Sequence, residues 1–368
     1  MRLRRYCVKI ALVYDRLNKI GGAEYVLQEF AALYPEADWY TSVWEPSQAP
    51  FSRLWKVHPS FLNKISLLRT HHEWVPYLMP FVFESFDFSG YDVVISITSA
   101  EAKGIITRPE TLHLCYCLTP TRYLYNDLDT YIHDPLSRLV AKKLRDWDQV
   151  AAIRPDIMIA ISEHVKKRIK KYYNRDSEVI YPPVDIKKFS VPIHKSKIIN
   201  HTSEFYLTVS RLVPSKRLDI LVQAFNKLGR RLVIIGSGVE AARLKKQAEK
   251  NITFLGKVAD EDLVKYYQGC QAFVTAAEED FGIAMVEALA AGRPVIAWRK
   301  GGAAEIVKDG VTGILVQQGG SEPLQRAVQQ LDTMHISSDL CRESAEQYGR
   351  NVWRTKIKER IEAACKMK

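Results

Sequence analysis

Residues Ala276–Gly313 read AAEEDFGIAMVEALAAGRPVIAWRKGGAAEIVKDGVTG. The pattern is loop, helix, loop, strand, loop. Glu278, Glu279 and Asp280 close a strand that ends QAFVTAA. Gly282 opens an apolar run, Ile283 to Ala291, of helix-forming composition. Gly292 suits the end of that helix, and Pro294 stops it. Val295–Trp298 predicts a short buried strand, and Gly301-Gly302 a bend before another helix start at Ala303. A helix N-terminus carries unpaired N–H groups and partial positive charge, so it attracts phosphate. Gly282 admits a ligand close to the backbone. Glu279 precedes the helix and Glu287 lies on it. Both would repel phosphate, but each suits a sugar hydroxyl, one on either side of a diphosphate. An acidic first turn that favours the helix dipole, with Glu287 on a solvated face, explains the same spacing.

The string E-E-D-F-G-I-A-M-V-E, followed by A-G-R-P-V-I-A, G-G-A-A-E and D-G-V-T-G, resembles the signature of the family-4 retaining glycosyltransferases. Glu279 and Glu287 match that family's E-x7-E pair. The resemblance implies the glycosyltransferase-B fold, an α/β architecture of two doubly wound Rossmann-like domains facing across a cleft. It also implies that Glu279 holds the transferred sugar and Glu287 the ribose. The backbone of Phe281, Gly282 and Ile283 would meet the sugar and the diphosphate.

Composition agrees with a two-domain enzyme. The chain has 368 residues, 47% of them hydrophobic and 26% charged, which is ordinary for a globular protein of that size. Six cysteines are scattered without a C-x-x-C pair. Cys115 and Cys117, on an apolar run, read as reduced, buried thiols of a cytoplasmic protein. The basic start Met1-Arg-Leu-Arg-Arg is followed by a run too short and polar for a signal peptide. No apolar stretch approaches the roughly 20 residues that span a bilayer. The net charge of +11 favours acidic partners such as anionic lipid or phosphorylated substrates. Nucleic acid is set aside because no binding motif is found. The expected place is cytoplasmic, peripheral on the inner face of the membrane.

Val8–Tyr14 predicts a buried first strand. Gly21-Gly22-Ala23-Glu24 then opens a helix, and strand, glycine turn and helix together form a phosphate-binding entrance. A tight turn explains the two glycines equally well; the resemblance makes Gly21 and Gly22 the loop that faces the donor diphosphate. Trp39–Val43 is a second strand. Phe51–Phe88, rich in aromatic, His and basic residues, reads as an irregular helix pair packed on the sheet or as an acceptor or membrane-surface patch. Tyr91–Ile97 and His113–Cys117 are further strands. Cys115 to Tyr123, CYCLTPTRY, resembles the O-antigen mannosyltransferase branch, whose C-Y-C-H-T-P-x-R-Y has a histidine where Leu118 stands. A second expected histidine is Ser99, so no catalytic histidine is carried over. Asp127 and Asp129 form a D-x-D in a Tyr-rich loop, a poor context for a metal. Leu136–Ala152 is an amphipathic helix and Ile157–Ser162 a strand. Glu163–Tyr173 is a helix with Lys166, Lys167, Arg168, Lys170 and Lys171 over its outer turns, either a solvated face or a contact for anionic membrane.

Val179–Asp185, with its double proline, ends the first domain, and polar residues 192–203 read as the hinge. The expected domains are 1–185 and 186–349, with a helix of about 350–368 crossing back to the first. Phe205–Ser210 starts a second sheet. Arg211 and Lys216 leave its end in SRLVPSKR, where a forked guanidinium and an ammonium point charge suit a diphosphate; in the family they are the diphosphate pair. With Glu279 they make up the expected catalytic set. No metal and no cofactor are expected, because these cations and a helix dipole neutralise the leaving diphosphate. The nearest branch implies a GDP-mannose donor, a UDP-sugar being the alternative, and a lipid-linked or free saccharide acceptor. The rival reading, drawn from Leu118 and Ser99, is a catalytically idle nucleotide-sugar-binding or scaffold subunit.

Overall fold

The computed structural model describes residues 8–19, 21–125, 135–191 and 204–366. Asp127, Asp129 and the segment 192–203 lie outside the described residues. Contacts divide the chain into an N-terminal unit, Met1–Tyr181 with Trp353–Lys368, and a C-terminal unit, Pro182–Val352. The cut falls before Asp185 because Val184 bridges to Gly349 and Asp185 meets Arg350 at 3.2 Å, both in the C-terminal unit. The last helix, Arg350–Cys365, belongs largely to the N-terminal unit. Its Trp353 indole packs edge-on to Phe30, and its Arg354 reaches Glu29 at 2.6 Å.

The N-terminal unit is a parallel sheet of β1 (Ile10–Tyr14), β2 (Asp38–Thr41), β3 (Lys56–Pro59), β4 (Val93–Thr98), β5 (Leu112–Cys117), β6 (Ile157–Ala160) and β7 (Glu178–Val179). Their spatial order is β3-β2-β1-β4-β5-β6-β7. The inner strands read IALVY, VVISIT and LHLCYC, near-continuous apolar runs, because helices cover both faces of a parallel sheet. Ala11, Val13 and Val94 anchor one core layer with Met79, Phe83 and Phe88. The stretch Phe51–Phe88 is not a simple helix pair. It contributes the edge strand β3 before two short helices, Ser66–Thr70 and Met79–Glu84. β3 reads KVHP and is only half-covered, so it lacks the apolar signal of an inner strand. Cys115 and Cys117 are buried free thiols, and burial pushes the Cys115 thiol up to about 11.

The C-terminal unit is a second parallel sheet of β8 (Tyr206–Val209), β9 (Leu232–Ile235), β10 (Ile252–Gly256), β11 (Phe273–Val274), β12 (Val295–Trp298) and β13 (Gly313–Val316). The order is β10-β9-β8-β11-β12-β13. Both units therefore share the doubly wound arrangement, in which the chain builds outward from one strand in one direction and then in the other. The helix Ile283–Ala290 ends as its sequence predicts. The Gly292 N–H donates to Leu289 and the Arg293 N–H to Ala288, closing the last turn.

Candidate functional site in the C-terminal unit

Strand order reverses between β8 and β11, so the loops leaving their carboxyl ends diverge and open a crevice suited to a ligand. The loop after β8 carries Arg211 and Lys216. Leu212 ties it to the turn after β9 through its N–H to the Ser237 carbonyl at 2.9 Å. Lys216 ends a short 3-10 turn and is followed by Arg217 in the left-handed region, φ 49°, where a side chain is uncommon. The loop after β11 carries Glu279. The Lys216 ammonium donates to both carboxylate oxygens of Glu279, each at 2.6 Å. Their side chains are 15% and 24% exposed, so the pair is shielded yet open on one side. Arg211 is exposed, and its guanidinium has no hydrogen bond or ion pair among the described residues.

The Glu279 loop is clamped from the other side by the turn after β12. The Gly302 N–H donates to the Glu279 carbonyl at 2.9 Å, and Lys300 meets Glu278 at 2.8 Å. A Cβ on Gly302 would stand 1.8 Å from the Phe281 carbonyl oxygen, and one on Gly301 2.4 Å from that of Glu279. The glycine pair thus does more than bend the chain. It lets one turn lie directly on the backbone of another. The Phe281 ring is buried edge-on to Tyr348. Gly282 begins the helix at φ 110°, a backbone region suited to glycine, and no side chain caps the helix start. Gly282 and Ile283 are only half-buried, so the positive end of this helix faces outward three residues from Glu279.

Glu287 lies one turn further along and is buried, which excludes the solvated face as its setting. Tyr267 donates its hydroxyl to Glu287 at 2.7 Å. Burial pushes the Glu287 carboxyl above the usual range; the Tyr267 hydrogen bond and the Lys188 charge pull it back, and Asp260 raises it. The structure therefore brings Glu279 to Lys216 and gives Glu287 a different partner. Tyr267 and Lys300 were not legible as site residues. Tyr267 sits in an ordinary amphipathic helix, Asp260–Gly269, and Lys300 carried no signal beyond its neighbours Gly301-Gly302.

In the N-terminal unit the order reverses between β1 and β4. The crevice there is occupied by Asp15, which is buried. It accepts from Thr98 Oγ1 at 2.8 Å, from the Ser99 N–H at 2.7 Å and Oγ at 3.2 Å, and from the Ala102 N–H at 2.8 Å. Ser99, where the resemblance expects histidine, thus serves the Asp15 carboxylate. Leu118 is buried. Arg16 meets Glu101 at 2.6 Å, and Tyr123 donates to the same carboxylate at 2.5 Å. Burial, followed by the charges of Arg16, Lys19 and His71, pulls His72 down to about 3. Gly21 and Gly22 sit at the start of the helix Ala23–Leu33. The Gly21 N–H donates to the Glu24 carboxylate at 2.6 Å, so this turn already holds an anion of its own chain. Among the described residues no group of three or more His, Cys, Asp or Glu side chains is placed to hold a metal ion.

Residues 191–351 match the family model described as Glycosyl transferases group 1. The matched residues fall within the C-terminal unit. Among curated relatives, an uncharacterized glycosyltransferase of Methanocaldococcus jannaschii is 28% identical over 195 residues, 51% of this chain and 53% of its own length. A GDP-mannose-dependent α-(1-6)-phosphatidylinositol monomannoside mannosyltransferase of Mycobacterium tuberculosis is 28% identical over 222 residues, 54% and 56% of the two chains. The match spans about half the length of these relatives. The fold likeness extends over nearly the whole chain. Anabaena HepE, solved in complex with UDP, superposes with a TM-score of 0.71 at 21% identity, covering 97% of this chain and 100% of that one. Sucrose-phosphate synthase of Thermosynechococcus elongatus gives 0.79 at 16% identity, with 98% and 100% covered. Two Rossmann-like α/β units, the fold of these neighbours, are thereby established.

Proposed function

We propose that this protein is a metal-independent retaining hexosyltransferase of the family-4 type that moves a hexose, mannose from GDP-mannose in first place, to a saccharide acceptor. The observation that carries the reading is the Lys216–Glu279 contact on two loops of one switch-point crevice, three residues before an uncapped helix start. Cation and helix end neutralise a departing diphosphate, while Glu279 accepts hydrogen bonds from the sugar. Arg211 adds a forked donor from the same loop as Lys216. Glu287 takes the ribose, and the Gly282 and Ile283 backbone meets the diphosphate. On the front face of the sugar, the leaving phosphate helps to take the acceptor proton. The mannosyltransferase relative favours GDP-mannose; the UDP complex of HepE keeps a UDP-sugar as the alternative.

The proposed acceptor is lipid-linked, at the cytoplasmic face of the membrane in polysaccharide synthesis. No helix among the described residues is long and apolar enough to cross a membrane. The basic helix Glu163–Tyr173 supports surface binding less than its sequence suggests. Arg168 is buried, Lys166 meets Glu163 at 3.5 Å and Lys170 meets Asp176 at 3.0 Å. The stronger support is the segment 61–81, where Phe61, Ile65, Leu67, Trp74, Tyr77 and Phe81 are exposed. Apolar side chains beside basic ones suit the surface of anionic lipid. The test of the function is transfer of hexose from GDP-mannose to a saccharide acceptor in EDTA, with product anomers assigned by proton NMR. Retention of configuration supports the reading; inversion, or activity only on added manganese, overturns it. The idle-subunit rival, favoured by Ser99 binding Asp15, predicts donor binding with neither transfer nor slow donor hydrolysis.

A further inference from the structure

Two of the three N–H donors of Lys216 are already engaged by Glu279. The proposed function asks this same ammonium to hold a diphosphate and this same carboxylate to hold a hexose. While the pair is closed the two demands compete, because a single ammonium N–H is left for the diphosphate. A diphosphate oxygen brought against Lys216 would stand beside a carboxylate only 2.6 Å from the same nitrogen, and like charges at that range repel. Conversely, a hexose hydroxyl approaching Glu279 finds one acceptor site on each oxygen already taken by the ammonium. The pair is mostly sheltered from solvent, which sustains the attraction. The neighbouring Arg211 is exposed and able to receive the incoming anion first.

We propose that the Lys216–Glu279 ion pair is a latch opened by the nucleoside diphosphate, so that the hexose-binding carboxylate is released only once the diphosphate is in place. The inference rests on the function proposed above and adds an order of events to it. The multiply charged diphosphate displaces the singly charged carboxylate from Lys216. Glu279 then turns its freed oxygens to the sugar hydroxyls. The site thereby discriminates a nucleotide sugar from a free sugar, which cannot open the pair. It also makes Glu279 a competitor of the leaving group, returning to Lys216 as the diphosphate departs.

The test is isothermal titration of UDP and of GDP into the full chain as wild type, Glu279→Gln, Lys216→Gln and the double variant. Glu279→Gln should bind the preferred nucleotide about two- to fivefold more tightly than wild type, the scale of a partly exposed ion pair, although hexose transfer falls. In the Lys216→Gln background the same substitution should give no gain, because the partner is gone. A gain that persists without Lys216 would show plain charge repulsion and overturn the latch. Unchanged or weaker binding by Glu279→Gln, with wild type binding normally, overturns the latch alone. No binding of either nucleotide by any of the four proteins overturns the proposed function and the latch with it. A second arm needs no variant: saturation-transfer NMR of free mannose and glucose with wild type should show sugar binding only when UDP or GDP is present. Equal binding without nucleotide contradicts the proposal.

Discussion

Replacing Tyr267 by Phe removes one oxygen from a fully buried position, and that oxygen donates to the Glu287 carboxylate at 2.7 Å. The ring keeps its packing between Phe189 and Phe273, so cavity formation is small. While Glu287 is ionised, the lost hydrogen bond is to a charged group and costs about 1.5–3 kcal/mol; with Glu287 protonated it is a neutral pair worth about 0.5–1.5 kcal/mol. The sign with pH follows. Burial already raises the Glu287 carboxyl above its unfolded value, so the folded state holds this proton longer. Its contribution to stability is fully present below the unfolded value of about 4.3 and is lost as pH rises through the folded one. Without the Tyr267 hydroxyl the folded value rises further, so the loss becomes larger and extends to higher pH. Urea denaturation of wild type and Tyr267→Phe across pH 4 to 8, buffer values of about that range bracketing a glutamate, should show a stability gap that widens with pH. A gap of constant size at every pH would mean that the hydroxyl only packs. No gap at neutral pH would refute the hydrogen bond itself.

The turn after β12 is expected to be intolerant. Gly302→Ala places a Cβ 1.8 Å from the Phe281 carbonyl oxygen, so the Glu279 loop must shift; donor binding should fall at least tenfold (about 1.4 kcal/mol), measured by titration calorimetry, and unchanged affinity would show that the two turns separate freely. Arg211→Ala should weaken donor binding about ten- to a hundredfold, the worth of a charge-assisted hydrogen bond, with little change in melting temperature because Arg211 is exposed. Equal affinity would remove Arg211 from the site. In the N-terminal unit, Lys103 and Asp148 form a fully buried ion pair that also engages Thr121. Lys103→Met strands the Asp148 charge and should cost about 3–5 kcal/mol by denaturant melting. A loss under about 1 kcal/mol would show that the site is wetter than its packing indicates.

The parallel sheets were legible because inner strands must be apolar on both faces, as in IALVY and VVISIT. The helix Glu163–Tyr173 has the bounds its spacing predicts. β3 was missed because an edge strand carrying Lys56 and His58 has no such constraint. The site was legible where backbone needs dictate residue type: Gly282 at its positive φ, and Gly301-Gly302 where a Cβ has no room. Pairings between distant residues were not. Nothing in SRLVPSKR announces that Lys216 will clasp Glu279, or in a helix bearing two adjacent tyrosines that Tyr267 will meet Glu287. The first contact arises from the strand ends that the sheet order places side by side, the second from the packing of the two helices on either side of β11. Arg168 shows the opposite error: a charge run that reads as all surface includes one buried guanidinium.

The β8–β11 crevice is proposed to bind a nucleotide sugar through its diphosphate. The most direct measurement of that binding is a thermal-shift screen of the purified protein with GDP-mannose, UDP-glucose, UDP-galactose and UDP-N-acetylglucosamine. A ligand that binds only the native state stabilises it by about 2.7 kcal/mol at a hundred times its Kd. One of these donors should raise the melting temperature of wild type, and the rise should fall to about half or less in Arg211→Ala and Lys216→Ala. No shift with any of the four, or a shift that both substitutions leave intact, would contradict the account.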